Sequence, residues 1–529
     1  MSEVSNQRFR RACVSCRQRK RRCDGEYPCT YCSRNAHHCE YGDALRRSKH
    51  RHSRRRQSST EDVGECANDG FQLRLLEANS GAVFVRQLGL KINPAQAPRL
   101  NYYAWNLGLN REIATSSQPL NITEILTPVQ MRELAGEYFT HVAPAYSFLE
   151  YDDLVEMINK RWASEWIGDS SDALLCGVAA LGCLFGGQSP SLEIQLAHSA
   201  HNELERSTLL PSPEVDHAVG WLLRVIYLRA TGSAHATWMA SCTLMHMVET
   251  TKLHLEPSND FILAQSGKSY PPELRRRVFW VARLFNTWIS SDCGKSQVEL
   301  RGASSELPRQ SWTEDQKNLC FLSCSFLGPG INLEPAAMEE ELSNLGALGP
   351  VHPMLQLLQC NLALCFYRRS RSLGQPLTDS SLKLIMDLAK SSLRAIGGLM
   401  KTSSPWWHII NVPFQVVCAL LAIDNDQALR LLPEALHVLR NLVSQYNTPT
   451  CREAYEIACS LLDRLTSALD EHKLAPPLTT LGRNIDVSDS GYRQRFSFLS
   501  PRNSGIGGDT TSSLVDYFLL DNLCYITGT

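Results

Sequence analysis

Apolar residues recur at helical spacing along most of this chain, from about residue 129 onwards. Steps of three and four residues place side chains on one face of an α-helix, whereas a half-buried strand alternates at every second position. Three stretches keep the helical pattern over several turns, namely 274–288, 429–446 and 454–468. No stretch alternates at period two for long enough to require a sheet. The pattern therefore predicts a mostly α protein with a large all-helical domain over residues 129–475.

Prolines mark the starts of two of these predicted helices. Pro271 and Pro272 precede one apolar stripe and Pro449 precedes another, and proline suits the first turn of a helix. The stretches on either side of Pro449 are expected to form two consecutive antiparallel helices. The most apolar run, 174–187, is interrupted by glycines and is shorter than the ~18 residues that indicate a membrane span. We therefore expect no membrane association.

Outside the helical body the composition changes to polar, charged and small residues, which cannot bury a core and so favour disorder. The segment 513–529 differs, because it is apolar, aromatic and weakly acidic. It is interpreted either as a segment that docks a partner protein or as a tail that packs back onto the helices. Disorder is expected for residues 1–8, for a basic linker at 43–70 and for residues 476–512. Residues 9–42 are expected to form a compact cysteine-rich region, and residues 71–128 a partly helical connector.

Charge is distributed very unevenly along the chain. The whole sequence has 53 Lys and Arg against 54 Asp and Glu, but residues 1–56 contain 16 basic and only 5 acidic side chains. A basic segment of this kind is suited to phosphate-bearing partners, so the amino-terminal region is the candidate nucleic-acid binder.

Six of the 19 cysteines lie in the cysteine-rich region with the spacing C-x2-C-x6-C-x5-C-x2-C-x6-C. The region therefore has two halves, each with the spacing C-x2-C-x6-C. A single tetrahedral zinc needs only four thiolates and would leave two equivalent cysteines unused. Two structural zinc ions need eight contacts from six sulfurs, so the first cysteine of each half, Cys13 and Cys29, is expected to bridge. The predicted ligands are Cys13, Cys16, Cys23, Cys29, Cys32 and Cys39.

The metal is also expected to hold this region folded, since its few aliphatic residues cannot form a core. His37 and His38 are alternative ligands, but the thiolate set is complete without them. No secretion signal is apparent, so the thiols are expected to be reduced and the other 13 cysteines to pack in the helical core.

A strongly basic sequence, RQRKRR, follows the first cysteine pair and contains no glycine or proline, so it is predicted to form a short helix. Its basic side chains are the candidate DNA contacts Arg17, Arg19, Lys20, Arg21 and Arg22.

The cysteine spacing, together with this basic helix, Asp24 and Pro28, resembles the fungal Zn(2)-C6 binuclear cluster transcription factors. The resemblance implies that the short helix enters the major groove and that Lys20 reads a CGG triplet. Arg22 departs from the lysine usual in the family. A second resemblance, over residues 129–308, is to the fungal-specific helical regulatory domain and depends on Glu137-Tyr138-Phe139 and on ELRRRVFW from residue 273.

These observations predict a nuclear, sequence-specific regulator of RNA polymerase II genes that binds double-stranded DNA and activates a pathway-specific gene set. A repressor, or a zinc-dependent module that binds protein or RNA, is the alternative. No GxSxG, P-loop, HExxH or dinucleotide motif is present, so the chain is not expected to be an enzyme. A small-molecule inducer is a candidate partner, although no sequence feature locates its pocket.

A second basic run lies in the linker and is interpreted as a nuclear import signal, an arm on DNA phosphates or a solvated charge run. Because residues 43–90 contain no sustained heptads, a monomer or weak homodimer is expected on DNA. The residues of this run are Arg46, Arg47, Lys49, Arg51, Arg54, Arg55 and Arg56.

Overall fold

The protein is represented by a computed structural model that separates it into two compact units, Met1–Gly64 and Glu65–Thr529. In the first unit the structure describes single positions and a short helix between residues 13 and 39. In the second it describes 80–93, 97–98, 100–109, 111, 120–164, 170–210, 212–256, 270–328 and 334–474, with side chains up to residue 465.

Helices and loops make up the described parts of both units, which contain no strand. The helices up to residue 210 are α1 (Thr30–Arg34), α2 (Gly81–Ile92), α3 (Ile122–Ile125), α4 (Pro128–His141), α5 (Tyr151–Ala163), α6 (Asp172–Phe185) and α7 (Pro190–Ser207). The next helices are α8 (Val215–Thr231), α9 (Ala234–Thr250), α10 (Pro272–Asp292), α11 (Glu314–Phe326) and α12 (Pro335–Ala347). The last are α13 (Pro353–Ser372), α14 (Asp379–Lys401), α15 (His408–Ile423), α16 (Asp426–Tyr446) and α17 (Pro449–Leu474).

The three helices expected from the clearest apolar stripes are present as α10, α16 and α17, and the mostly α fold class is confirmed. Proline occupies the first turn of α10, as the sequence indicated. Helices α16 and α17 pack on each other after a break at Asn447, whose backbone is left-handed and ends α16.

The apolar run at 174–187 lies in α6 up to Phe185, and every residue of α6 is buried. Helices α4, α7 and α8 surround it, so its uniform hydrophobicity is explained by burial among other helices. None of the described helices has the length and hydrophobicity needed to cross a bilayer. A second group, α13 to α16, packs around the almost wholly buried α15.

The described residues between 80 and 109, in a stretch expected only as a connector, pack into the helical unit. Helix α2 lies against α15 and α17, and the Ser80 hydroxyl donates to the carbonyl oxygen of Asp292 at 3.1 Å. Further along, the Asn106 amide donates to the carbonyl oxygen of Gly232 at 2.9 Å. The backbone N–H of Tyr102 donates to the Glu453 carboxylate at 2.7 Å. This segment is therefore fastened to helices that are distant in sequence.

A buried arginine joins the same segment to the centre of the helical unit. The Arg229 guanidinium is 2.9 Å from the Asp292 carboxylate and its carbon lies 3.6 Å from the centre of the Trp105 ring. It also donates to the carbonyl oxygen of Trp105. Removing one partner of such a buried ion pair is costly, because the remaining charge stays in a low-dielectric interior.

The arginine triplet at the start of α10 is buried rather than solvated. Arg275, Arg276 and Arg277 are 9%, 8% and 3% exposed. Arg276 contacts the carboxylates of Glu256 and Glu273, and this contact lowers the pKa of Glu256. Arg277 pairs with Glu150, and Arg275 donates to a backbone carbonyl. Burial in these contacts excludes the triplet from nucleic-acid binding in this arrangement.

Two glycines offer a matched test of the close packing around α6. A Cβ on Gly182 would lie 2.2 Å from the carbonyl oxygen of Leu134 in α4, whereas a Cβ on the exposed Gly397 of α14 would meet nothing within 4 Å. We expect Gly182→Ala to lower the free energy of unfolding by roughly 1–3 kcal/mol through overpacking. We expect Gly397→Ala to raise it by about 0.5–1 kcal/mol through helix propensity. Urea unfolding followed by circular dichroism measures both, and equal effects would contradict the packing argument.

Candidate zinc centre and nucleic-acid interface

The cysteine-rich unit repeats one set of backbone–thiol contacts in its two halves. The N–H of Cys16 donates to the sulfur of Cys13 at 3.4 Å, and the N–H of Cys32 donates to that of Cys29 at 3.4 Å. The N–H of Cys13 also reaches the Cys23 sulfur at 3.5 Å. In the second half the equivalent N–H of Cys29 reaches the Cys39 sulfur at 3.3 Å. The two halves, which have the same cysteine spacing, therefore also have the same backbone–thiol contacts.

Three sulfur contacts join the two halves. The Cys13 sulfur lies 3.7 Å from that of Cys29 and 3.6 Å from that of Cys32, and the Cys16 sulfur lies 3.5 Å from that of Cys29. A tetrahedral zinc with sulfur ligands has S···S edges of about 3.8 Å, given a Zn–S bond of about 2.3 Å. The spacing of these thiols therefore fits zinc, and each contact includes the first cysteine of a half.

The first cysteine of each half is also the one whose thiolate is favoured. Burial alone would raise the pKa of the Cys13 thiol, but hydrogen bonds from the Cys16 N–H and neighbouring thiols lower it. The pKa of Cys29 is lowered chiefly by the hydrogen bond from the Cys32 N–H. Burial instead raises the pKa of the Cys16 and Cys32 thiols. A bound divalent cation would ionise these thiols, because thiolates are the metal-ligating form.

Asp24 connects the end of the first half to α1 in the second. One of its carboxylate oxygens accepts from the Glu26 N–H at 3.1 Å, and the other accepts from the Thr30 N–H at 2.8 Å and from the Thr30 hydroxyl. These bonds, those from Thr30 above all, lower the pKa of Asp24. The sequence alone assigns Asp24 no role, although an acidic residue six positions before the threonine that begins α1 is a signal for this contact.

The basic segment after the first cysteine pair is described only in part. Ser15 and Cys16 are helical, and the Arg19 N–H donates to the Ser15 carbonyl oxygen at 3.2 Å, as expected in a helical turn. The Arg19 guanidinium donates to the Ser15 hydroxyl at 2.8 Å, which fixes part of that side chain. Arg19 and Arg21 are exposed. The other predicted contacts lie outside the described residues: Arg17, Lys20 and Arg22.

Of the two histidines that were alternative zinc ligands, the structure describes His37. His37 is half-buried, its N–H donates to the Cys32 carbonyl oxygen at 2.9 Å, and its ring centre is 6.1 Å from that of Tyr31. The group of four thiols that lie within 4.8 Å of one another is formed without it. His38 and the second basic run, residues 46–56, lie outside the described part of the chain.

Known proteins resemble this chain over both units. The family model described as the fungal Zn(2)-Cys(6) binuclear cluster domain matches residues 11–48, and that of the fungal specific transcription factor domain matches residues 135–313. The chain is 37% identical to transcription factor kojR of Aspergillus oryzae over 509 residues, which cover 94% of this chain and 89% of the relative. It belongs to the fungal Zn(2)-Cys(6) transcription factors.

Two proteins named RDR1 are also similar over most of their length. The identity is 36% over 506 residues with that of Gibberella zeae, covering 92% of this chain and 91% of the relative. It is 29% over 490 residues with that of Saccharomyces cerevisiae, covering 86% and 89%. As a Zn(2)-Cys(6) transcription factor, the protein binds DNA and holds two zinc ions in its cysteine cluster.

We propose that all six cysteines are ligands and that Cys13 and Cys29 bridge the two zinc ions. Each bridging thiolate would contact both ions, so Cys13→Ser is expected to disturb both sites, whereas Cys23→Ser is expected to disturb one. Native mass spectrometry of the full chain would count the zinc ions bound. We expect less than one ion to remain in the Cys13→Ser variant and about one in the Cys23→Ser variant.

The buried helical-core thiol Cys360 provides the control, since Cys360→Ser is expected to retain both ions. Equal zinc loss from Cys13→Ser and Cys23→Ser would contradict the assignment of the bridges.

Proposed function

We propose that this transcription factor reads CGG-type triplets in the major groove and activates a pathway-specific set of RNA polymerase II genes in the nucleus. The observation that supports this proposal is the thiol cluster with Arg19 and Arg21 exposed next to it in the sequence. A structural metal site of this kind leaves no position open for substrate, so its use is to present the adjoining side chains.

In the proposed complex, the basic side chains that follow the first cysteine pair make two kinds of contact with DNA. Lys20 donates to O6 and N7 of a guanine, the base edge that a lysine recognises best in the major groove. The surrounding arginines contact backbone phosphates, which position the protein but carry no sequence information. The hydrogen bond from Arg19 to Ser15 supports such a positioning role, because it orients that side chain at the cluster surface.

The second basic run, residues 46–56, is proposed to be both a nuclear import signal and an arm on DNA phosphates. A single cluster reads only a few base pairs, so contacts made by the arm would add affinity without sequence preference. A monomer or weak homodimer on DNA follows from the lack of heptads after the cluster.

The helical unit is proposed to be a non-enzymatic regulatory domain. The segment 513–529, which lies outside the described residues, is proposed to dock coactivators through its aromatic and aliphatic side chains.

Two substitutions separate base reading from phosphate binding. Lys20→Ala is expected to reduce the preference for a CGG duplex over a scrambled duplex by about 1–3 kcal/mol, because a base-edge contact is lost. Arg54→Ala is expected to weaken binding to both duplexes alike and to make affinity less salt-dependent. Fluorescence anisotropy at physiological salt measures each. An unmodified protein that binds the two duplexes equally would defeat the proposed sequence reading.

The direction of regulation is tested with a reporter gene behind CGG sites. Expression is expected to rise when the protein is supplied and to stay at its basal level with the Lys20→Ala variant, because that variant should not select the sites. Reporter messenger RNA is the measurement. A fall below the basal level would assign the protein as a repressor instead.

A further inference from the structure

A cavity of about 540 Å³, open to solvent on one side, lies in the helical unit between α9, α10, α11 and the loop 293–303. This volume is within the range of cavities that hold small organic molecules. Apolar side chains of Met245, Phe279 and Leu300 line part of it, and polar side chains including Thr287 and Gln297 line the rest. We call it the α10–α11 cavity.

The loop that forms one wall of the α10–α11 cavity is tied to α10 by a buried amide. The Asn286 side-chain oxygen accepts from the Val298 N–H at 2.9 Å, and its nitrogen donates to the Ser241 hydroxyl at 3.1 Å. Asn286 is only 1% exposed, so these bonds are shielded from water. A cavity held by buried hydrogen bonds is formed before any ligand arrives, which lowers the cost of binding.

Arg283 supplies a cation at this cavity and differs from the other arginines of α10. Arg276 and Arg277 are paired with glutamates, whereas the described residues provide no hydrogen-bond or ion-pair partner for Arg283. Its guanidinium carbon lies 5.2 Å from the centre of the Trp280 ring, a cation–π distance. Within the described residues no hydrogen bond uses the N–H groups of Arg283, and the edge of a guanidinium can bind a carboxylate through two parallel hydrogen bonds.

The charged residues around the cavity limit the number of negative charges that the ligand can have. Among its described lining residues Arg283 is the cation, and the one carboxylate belongs to Glu299, which is exposed. A phosphate with two negative charges would leave one charge uncompensated beside Glu299, whereas a single carboxylate is matched by Arg283. The apolar wall requires an apolar group on the same molecule.

We propose that the α10–α11 cavity binds a small organic monoanion, a carboxylate joined to an apolar group. Arg283 holds the carboxylate, while Phe279, Met245 and Leu300 pack against the apolar part. This inference extends the proposed regulatory role of the helical unit by locating and describing its effector. Its test is independent of DNA reading, so failure of either proposal leaves the other standing.

The full-length, zinc-loaded protein is tested by saturation-transfer NMR with 4-phenylbutyrate as the probe. We expect binding to the unmodified protein and about tenfold weaker binding to Arg283→Met, because a charge-assisted pair of hydrogen bonds is lost. Arg301→Met is the matched control, since Arg301 is an exposed arginine of the same loop that does not line the cavity. It should bind the probe as the unmodified protein does.

Neutral 4-phenylbutan-1-ol is expected to bind the unmodified protein more weakly than the carboxylate does, and to bind Arg283→Met equally weakly. Failure of 4-phenylbutyrate to bind, or equal binding by Arg283→Met and the unmodified protein, would overturn the proposal. Displacement of the probe by inorganic phosphate would overturn the choice of a carboxylate.

Circular dichroism melting checks that Arg283→Met is folded. If it is not, Arg283→Lys replaces it, because lysine keeps the charge but lacks the planar pair of donors. Weaker probe binding by Arg283→Lys supports the two-bond contact, and unchanged binding overturns it.

Discussion

Three pairs of thiol sulfurs that lie 3.5–3.7 Å apart constrain the described part of the amino-terminal unit. Thiolates at this distance repel strongly unless cations lie between them, and metal binding in turn requires the thiols to lose their protons. The buried cluster of this unit consists of cysteines, with Tyr31 packed at its edge. Metal binding is therefore expected to take the place of a hydrophobic core, and loss of zinc is expected to unfold the part of this unit that carries Arg19 and Arg21.

The helical unit is stabilised in the opposite way, by an extensive apolar core in which a few charges are buried as pairs. Arg229 illustrates the arrangement, because one guanidinium contacts Asp292 of α10 and Trp105 of the segment that precedes α3. Contacts of this kind fasten the described residues between 80 and 109 to the helices. Ser80, where the described part of this unit begins, is itself held, because its hydroxyl donates to the carbonyl oxygen of Asp292 at the end of α10.

Several features could not be predicted from the sequence because they depend on partners far along the chain. The triplet 275–277 looks like a solvated charge run, yet Arg277 is buried because it meets Glu150, which is 127 positions away. Gly182 looks like an ordinary helical glycine until the backbone of Leu134 is found against it. Arg283 resembles its ion-paired neighbours in the sequence, and only the packing of α9, α10 and α11 places it at a cavity.

What the sequence determined by itself were the features governed by local rules. The zinc ligands could be predicted from the cysteine spacing, because the ligands of a small metal site lie close along the chain. Helices α10, α16 and α17 could be predicted because their apolar residues recur every three or four positions. Only the tertiary structure decided which charges are buried, how closely α4 and α6 approach, and where a cavity remains. The physical reason is that burial, ion pairing and empty volume are properties of surfaces brought together from distant segments, and no local pattern encodes them.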